Sequence, residues 1–295
     1  MPEANKVRLM VDSGSYSVWV KVDENGNQVE SLTIEDYVAY IKKYRKYIDM
    51  YVVMDHIPGR PGQWATAEEY EEGARKTYDN YRYMRDEGLE PIPIFRQGEQ
   101  FKWLETYLEK EKVDYVGLSC EKMIDARTRR VRQHWLDQVF TKLTDADGVP
   151  TIKTHGFAIT SIPLLFRYPF TSVDSTTWSL IASYGFILCP VYVAGKPDYS
   201  RLPIQVHLSY KHSLERVTTR HGRINSKNFA GDGKKYEHLG PMMQQCVRHF
   251  IEEECSERLA DMYVDDNARR RCVITYFKKL VAGLGDVRFQ HRVRI

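Results

Sequence analysis

Short apolar runs alternate with longer amphipathic stretches over the first two thirds of the chain. The apolar runs predict seven strands, at residues 7–12, 50–55, 91–96, 114–118, 150–154, 170–174 and 186–193. Between them, apolar residues recur at helical spacing. Strands that alternate with helices form parallel sheets joined by right-handed crossovers. We therefore expect an α/β fold, a (β/α)8 TIM-like barrel, with a doubly wound open sheet as the alternative.

Helix boundaries are also visible in the sequence. Thr33 with Asp36 resembles a capping box, and Thr66 with Glu69 is a better match to that motif. The helix that starts at Thr66 is predicted to end near Gly88, because glycine is a common C-terminal cap.

The last third of the chain differs in both pattern and charge. After about residue 200 the alternation fades, and helical patterns return at 241–262 and 266–284. We expect a barrel core at 1–204 and a mainly helical C-terminal appendage at 205–295, packed on the barrel. The first segment has 26 basic and 29 acidic residues, and the second has 17 and 11. Such a basic end is typical of a region that faces nucleic acid, although a solvated helix surface explains it equally well.

Composition indicates a cytoplasmic protein. The chain is 42% apolar and 28% charged, as expected for a well-packed fold. No apolar stretch approaches the roughly 20 residues of a membrane span, and the first residues do not resemble a signal peptide. The five scattered cysteines favour reduced thiols.

The cysteines make zinc the one cofactor to consider. Cys246, His249, Cys255 and Cys272 contain suitable ligand types. On apparent helices, however, such residues are more often buried thiols and a surface histidine. We therefore expect no metal and no other cofactor.

Acidic residues end three of the predicted strands. Asp12, Asp55 and Asp174 each follow an apolar run and precede a turn. Aspartate is a poor strand residue, and barrel enzymes place catalytic residues at the C-terminal ends of their strands. A turn cap explains any one of them alone, but the three together predict an active site.

Other strand ends add polar groups to the same expected edge. Gln97, Ser119 and His155 follow or end three further strands, and Gly117 lies inside one. A glycine within a strand marks either the close approach of a ligand or relief of packing. An amide side chain, a carboxylate and exposed backbone N–H and C=O groups can hydrogen-bond to the edge of a planar base. Two further carboxylates suit substitution at a sugar anomeric carbon.

These motifs resemble the tRNA-guanine transglycosylase superfamily, in particular its short phage-type members that exchange guanine for a 7-deazaguanine in DNA. The resemblance covers roughly residues 7–190. The matching segments are Asp12-Ser13-Gly14-Ser15-Tyr16-Ser17, Asp55-His56-Ile57-Pro58, Gln97-Gly98, Val116-Gly117-Leu118-Ser119, His155-Gly156-Phe157-Ala158-Ile159-Thr160 and Val173-Asp174.

The resemblance implies a mechanism and a set of site residues. Asp174 would be the nucleophile and Asp12 the general base, in a base exchange through a covalent sugar–enzyme ester. Tyr16 would stack on the base. The other expected base-binding residues are Ser13, Gly14, Asp55, Gln97, Gly98, Gly117, Ser119, His155 and Gly156. The implied partners are DNA and a free 7-deazaguanine base, in a host cytoplasm if the gene belongs to a phage, and a homo-oligomer is compatible with the sequence.

Several positions depart from the family pattern. Ser15 and Ser17 replace a Gly and a Gln, His155 replaces a Met, and the family's Cys-x-Cys-x-x-Cys…His zinc motif is absent. These departures point away from a standard tRNA enzyme. The alternatives are a tRNA-guanine transglycosylase with the same chemistry, a hydrolytic DNA glycosylase, and a non-catalytic nucleic-acid-binding barrel.

The basic C-terminal region is expected to contact the phosphates of the nucleic acid. The candidate residues are Arg216, Arg220, Arg223, Lys234 and Lys235.

Overall fold

The chain folds as a mixed α/β protein with parallel sheets. The computed structural model describes residues 8–23, 32–61, 63–120, 126–159, 161–211 and 234–290. Two compact units are present. Unit 1 comprises Met1–Ile159, Phe170–Asp174 and Phe289–Ile295, and unit 2 comprises Thr160–Pro169 and Ser175–Arg288. This division does not coincide with the predicted one at residue 204.

The described residues of unit 1 form six short strands, and all pairings among them are parallel. Its strands are β1 (Met10–Val11), β2 (Met50–Tyr51), β3 (Ile94–Arg96), β4 (Tyr115–Ser119), β5 (Lys153–Phe157) and β6 (Ser172–Val173). β1 pairs with β2, and β3, β4, β5 and β6 form one sheet in chain order. An isolated parallel bridge between Val52 and Ile92 connects the two sets.

Helices separate these strands along the chain, as the amphipathic stretches predict. They are α1 (Ser15–Trp19), α2 (Ile34–Tyr44), α3 (Ala67–Asp86), α4 (Phe101–Glu105) and α5 (Ala126–Leu143). At the start of α3, Thr66 and Glu69 form the complete capping box. Thr33 accepts from the Asp36 N–H at the start of α2. Gly88 has a φ of +77° just beyond α3, so both start signals and the stop signal are confirmed.

An apolar core lies between α2, α3 and the strands. Its fully buried members include Ile41 of α2, Met84 of α3 and Val52 beside β2. The Tyr37 hydroxyl donates to the Val52 carbonyl at 2.9 Å, which satisfies a polar group inside this core. The core thus holds β1 and β2, the strands that precede Asp12 and Asp55.

The fifth strand begins three residues later than predicted. Pro150 forms an antiparallel bridge with Thr144 in the turn before the strand, and β5 begins only at Lys153. Proline has no N–H to donate to a strand ladder. In consequence His155 lies in the middle of β5 rather than after it.

Unit 2 combines helices with short antiparallel and parallel strands. Its helices are α6 (Ile162–Arg167), α7 (Thr177–Ser183), α8 (Pro241–His249), α9 (Leu259–Met262) and α10 (Asp266–Gly283). Its strands are β7 (Phe186–Cys189), β8 (Val191–Val193), β9 (Lys196–Asp198), β10 (Ile204–His207) and β11 (Lys234–Lys235). Among the described residues, no helix has the length and apolar character required to cross a membrane.

The prediction of a seventh parallel strand at 186–193 is wrong. Pro190 divides this segment into β7 and β8. β7 pairs antiparallel with β10, and β8 pairs antiparallel with β9. The β8–β9 hairpin turns at Ala194 and Gly195, which have φ values of +49° and +76°, as two-residue hairpin turns require.

A buried arginine connects the helices of unit 2. Arg269 of α10 is fully buried. Its guanidinium donates to the carbonyls of Ala182, Leu208 and Met262 and pairs with Asp266. One side chain therefore satisfies three backbone acceptors from separate segments.

Arg269→Met should destabilise the protein by about 3 kcal/mol, because it leaves these buried acceptors without a donor. Chemical unfolding monitored by circular dichroism measures the change. Arg258→Met is the matched control, because Arg258 bonds Asp261 at the surface and should shift the midpoint little. Equal stability of wild type and Arg269→Met would show that the buried network contributes nothing.

Candidate functional site

The register of the parallel sheet aligns polar side chains on neighbouring strands. Arg96 of β3 lies beside Ser119 of β4, and His155 of β5 lies beside Ser172 of β6. Gly117 of β4 is the other neighbour of His155. Side chains two residues apart on a strand share a face, so these groups project from one side of the sheet.

The turn after β1 forms the first part of the site. The Ser13 N–H donates to Asp12 Oδ1 at 2.8 Å. The buried Ser13 hydroxyl contacts Asp55 Oδ1 at 3.2 Å and Ser15 Oγ at 2.9 Å. Gly14, with a φ of +78°, lets the chain turn sharply into α1. The sequence motif thus ties the loop of Asp12 to Asp55.

Asp55 is paired with an arginine that the sequence reasoning did not select. Arg96 Nη2 lies 2.5 Å from Asp55 Oδ2, and both side chains are largely buried. Arg96 Nη1 donates to Ser119 Oγ at 3.0 Å. The carboxylate of Asp55 is therefore neutralised, and its position is fixed by Arg96 and Ser13.

Asp174 lies at the end of a hydrogen-bonded chain of side chains. Its Oδ1 is 3.3 Å from His155 Nε2 and accepts from the Ala158 N–H at 3.0 Å. His155 Nδ1 is 2.6 Å from Ser172 Oγ, which is 2.6 Å from the Tyr115 hydroxyl. His155 is buried, whereas the Asp174 side chain is 60% exposed.

Ala158 presents its N–H to Asp174 from an unusual backbone conformation. Its φ is +54°, in the left-handed region that non-glycine residues seldom occupy. Residues held in such conformations cluster at functional sites, where the surrounding structure maintains them.

The environment separates the pKa values of the two predicted catalytic acids. Loss of hydration raises the pKa of Asp12 above its ordinary value, and the negative charges of Asp55 and Asp174 raise it further. Burial acts in the same direction on Asp174, but hydrogen bonds from His155 and Ala158 outweigh it and leave the pKa of Asp174 lowered. Because the charges of Asp55 and Asp174 both act on Asp12, the three acids lie in one region of unit 1.

The segment after β3 contains the predicted residues Gln97 and Gly98 and a buried acid, Glu99, that was not predicted. Gln97 is buried, and its N–H donates to the Ser119 carbonyl at 2.9 Å. At Gly98 a Cβ would lie 2.5 Å from the Tyr70 ring, and φ is +105°, so glycine is required. Glu99 accepts from the Arg96 N–H, and burial raises the pKa of Glu99 to about 8.

The two glycines in the strands are surrounded by side chains. A Cβ on Gly117 would lie 2.5 Å from the Phe157 ring, and one on Gly156 would lie 3.0 Å from Ile159 and Phe170. Packing alone accounts for both glycines.

Tyr16 projects outward from α1. It is 57% exposed, and its ring centroid is 5.9 Å from that of Trp19. The Trp19 indole N–H in turn donates to the Gly59 carbonyl at 3.2 Å, so α1 is attached to the loop after Asp55. Tyr16 is therefore accessible for stacking.

The predicted phosphate contacts are only partly described. Arg216, Arg220 and Arg223 lie outside the described residues, whereas Lys234 and Lys235 form β11. Within the described part of the chain, no three His, Cys, Asp or Glu side chains are grouped to hold a metal ion. This includes Cys246, His249, Cys255 and Cys272, the possible zinc ligands.

Sequence reasoning missed four residues of this site. Arg96 and Glu99 flank the predicted Gln97-Gly98 pair. Two charged residues beside the end of a buried strand are a sequence signal that could have identified both as site residues. Ser172 lies two positions before Asp174 and Tyr115 two before Gly117. Their roles depend on the register between strands, which short motifs do not specify.

Comparison with known proteins leaves the chain without a family assignment. No protein-family model matches it, and no curated protein matches its sequence significantly. The resemblance to tRNA-guanine transglycosylases therefore depends on six short motifs in chain order. Function has to be inferred from those motifs and from the geometry around Asp12, Asp55 and Asp174.

Proposed function

We propose that the protein is a base-exchange transglycosylase that replaces guanine in DNA with a 7-deazaguanine through a covalent ester on Asp174. The observation that supports this most directly is the opposite pKa shift of two neighbouring carboxyl groups, Asp12 raised and Asp174 lowered. Retaining reactions at an anomeric carbon need such a pair, an ionised nucleophile beside an acid/base.

The first displacement breaks the bond between the sugar and guanine. The guanine leaves its stack and enters the site. A carboxylate oxygen of Asp174 forms a bond to C1′ as the C1′–N9 bond breaks. The electron pair of that bond goes to guanine N9, which takes a proton from Asp12. Guanine departs neutral, and the sugar is left as an ester of Asp174.

The second displacement reverses these roles with a different base. A free 7-deazaguanine binds in place of guanine and loses its N9 proton to Asp12. Its N9 then attacks C1′, and the ester bond to Asp174 breaks. Two inversions retain the configuration, and both carboxyl groups return to their starting states.

Base recognition in this proposal uses the groups around the two acids. Asp55 and Gln97 contact the edge of the base, and Tyr16 stacks on it. The pairing of Asp55 with Arg96 adds a guanidinium, a group that suits the O6 acceptor of guanine. Unit 1 is, in the same proposal, most of a (β/α)8-like barrel. This is supported by six parallel strands in chain order and by acids that follow β1, β2 and β6.

Asp174→Asn should reduce guanine exchange at least about a thousandfold while folding and DNA binding are retained, because the amide is nearly isosteric but not nucleophilic. Nucleoside mass spectrometry of DNA and tRNA after incubation with labelled guanine measures exchange. Asp114→Asn is the matched control, since the Asp114 side chain is 88% exposed.

Near wild-type exchange in Asp174→Asn would show that another residue forms the ester. Release of guanine without incorporation would identify a hydrolytic glycosylase instead. Incorporation into tRNA but not DNA would select the tRNA alternative.

We expect the salt dependence of DNA binding to become less steep when five basic residues are replaced by alanine. These residues are Arg216, Arg220, Arg223, Lys234 and Lys235. Each lost phosphate contact lowers the slope by about 0.9 on duplex DNA or about 0.7 on a single strand. Binding of the free deazaguanine, measured by calorimetry, should not change. A double variant at the exposed Lys43 and Lys46 is the control, and an unchanged slope in the five-residue variant would place the phosphates elsewhere.

A further inference from the structure

We propose that Tyr115, Ser172 and His155 form a one-way chain of hydrogen bonds that holds Asp174 by Oδ1 and leaves Oδ2 as the oxygen that forms the ester. The role of Oδ2 rests on the proposed function. The hydrogen-bonded chain itself exists in the protein without substrate and does not depend on that function. Sequence motifs gave no indication of it, since Tyr115 and Ser172 belong to none of the segments that resemble transglycosylases.

Two short links and one longer link connect Tyr115 to Asp174. Tyr115 at the start of β4 contacts Ser172 of β6 at 2.6 Å, and Ser172 contacts His155 Nδ1 at 2.6 Å. The remaining ring nitrogen of His155 lies 3.3 Å from Asp174 Oδ1. The chain thus begins on β4, passes through β6 and β5, and ends just after β6.

The number of available protons sets the direction of donation. Asp174 has a lowered pKa and is ionised, so it can only accept, and His155 Nε2 must carry a hydrogen. In this proposal the imidazole is neutral, so Nδ1 accepts and Ser172 donates to it. Since Ser172 has a single hydrogen, Tyr115 has to donate to Ser172. Bonds that all point one way polarise one another and strengthen the last donor.

The two oxygens of Asp174 are not equivalent. Oδ1 accepts from both His155 Nε2 and the Ala158 N–H, whereas no hydrogen bond to Oδ2 from another described residue is present. The two bonds to Oδ1 keep the carboxylate oriented, and Oδ2 has no bond to a neighbouring residue to lose before it attacks. When Oδ2 forms the ester, Oδ1 becomes the carbonyl oxygen. It regains negative charge as the ester breaks, and the two donors then stabilise the departing carboxylate.

His155 also has the rigidity that this role requires. It is buried, and its ring meets the edge of Phe157 at a centroid distance of 4.5 Å. Phe157 occupies the space that a side chain at Gly117 would fill. The position of the imidazole is therefore fixed by packing as well as by its hydrogen bonds. Asp12, whose pKa is raised in part by the charge of Asp174, is unchanged by substitutions at Tyr115, Ser172 and His155.

The test follows the carboxyl group of Asp174 directly. The full-length protein is labelled with carboxyl-¹³C aspartate, and the Asp174 signal is assigned by its absence in Asp174→Asn. We expect His155→Leu to raise the pKa of Asp174 by roughly one unit, the effect of one hydrogen bond to a charged group. Tyr115→Phe and Ser172→Ala should raise it by less, and His155→Gln should restore part of the loss.

Tyr78→Phe is the matched control, since the Tyr78 hydroxyl bonds Glu111 instead. Activity gives a second measurement. His155→Leu should lower kcat by about 10²-fold or more, and Tyr115→Phe several-fold, with the KM for DNA unchanged and the acidic limb of the kcat profile moved to higher pH.

An Asp174 titration that is unchanged in both Tyr115→Phe and Ser172→Ala would overturn the proposed chain. Failure of the proposed function is distinguishable from this result. A wild-type protein that exchanges no guanine would refute the transglycosylase, while the titration of Asp174 would still decide whether the chain acts on it.

Discussion

The parallel register of β4, β5 and β6 is the constraint on which the candidate site depends. It places His155 between Gly117 and Ser172. A shift of one residue would turn every side chain of β5 to the other face. His155 would then lose both Ser172 and Asp174, and Phe157 would no longer fill the space above Gly117. Backbone pairing, apolar packing and the chemistry of the site therefore specify the same alignment.

Electrostatics then distinguish carboxyl groups that share one region. Asp55 is neutralised by Arg96, and Asp174 is held ionised by His155 and the Ala158 N–H. Asp12 receives one hydrogen bond from a neighbouring N–H and keeps a raised pKa. The neighbours of the three acids thus pair Asp55 with a cation, raise the pKa of Asp12 and lower the pKa of Asp174. This difference is what a reaction with one nucleophile and one acid/base requires.

Local signals were sufficient to predict much of the fold. The Thr66–Glu69 box and Gly88 marked both ends of α3, because capping involves residues close in sequence. The apolar segment 186–193 is not one strand, because Pro190 interrupts it and its second half enters a hairpin that turns at Ala194 and Gly195. Asp12, Asp55 and Asp174 were found as acids at strand ends. Their partners Arg96, Ser172 and Tyr115 were not, because contacts between distant strands depend on register, which a single sequence does not display.

The proposed exchange requires that Asp174 become covalently bound to the sugar. The direct measurement is mass spectrometry of the protein after incubation with a guanine-containing DNA oligonucleotide while the released guanine is removed. Without free base the ester should accumulate, and peptide mapping should place the oligonucleotide adduct on Asp174 through a bond that hydroxylamine cleaves. Active exchange with the adduct on another residue, or with no adduct at all, would contradict this account.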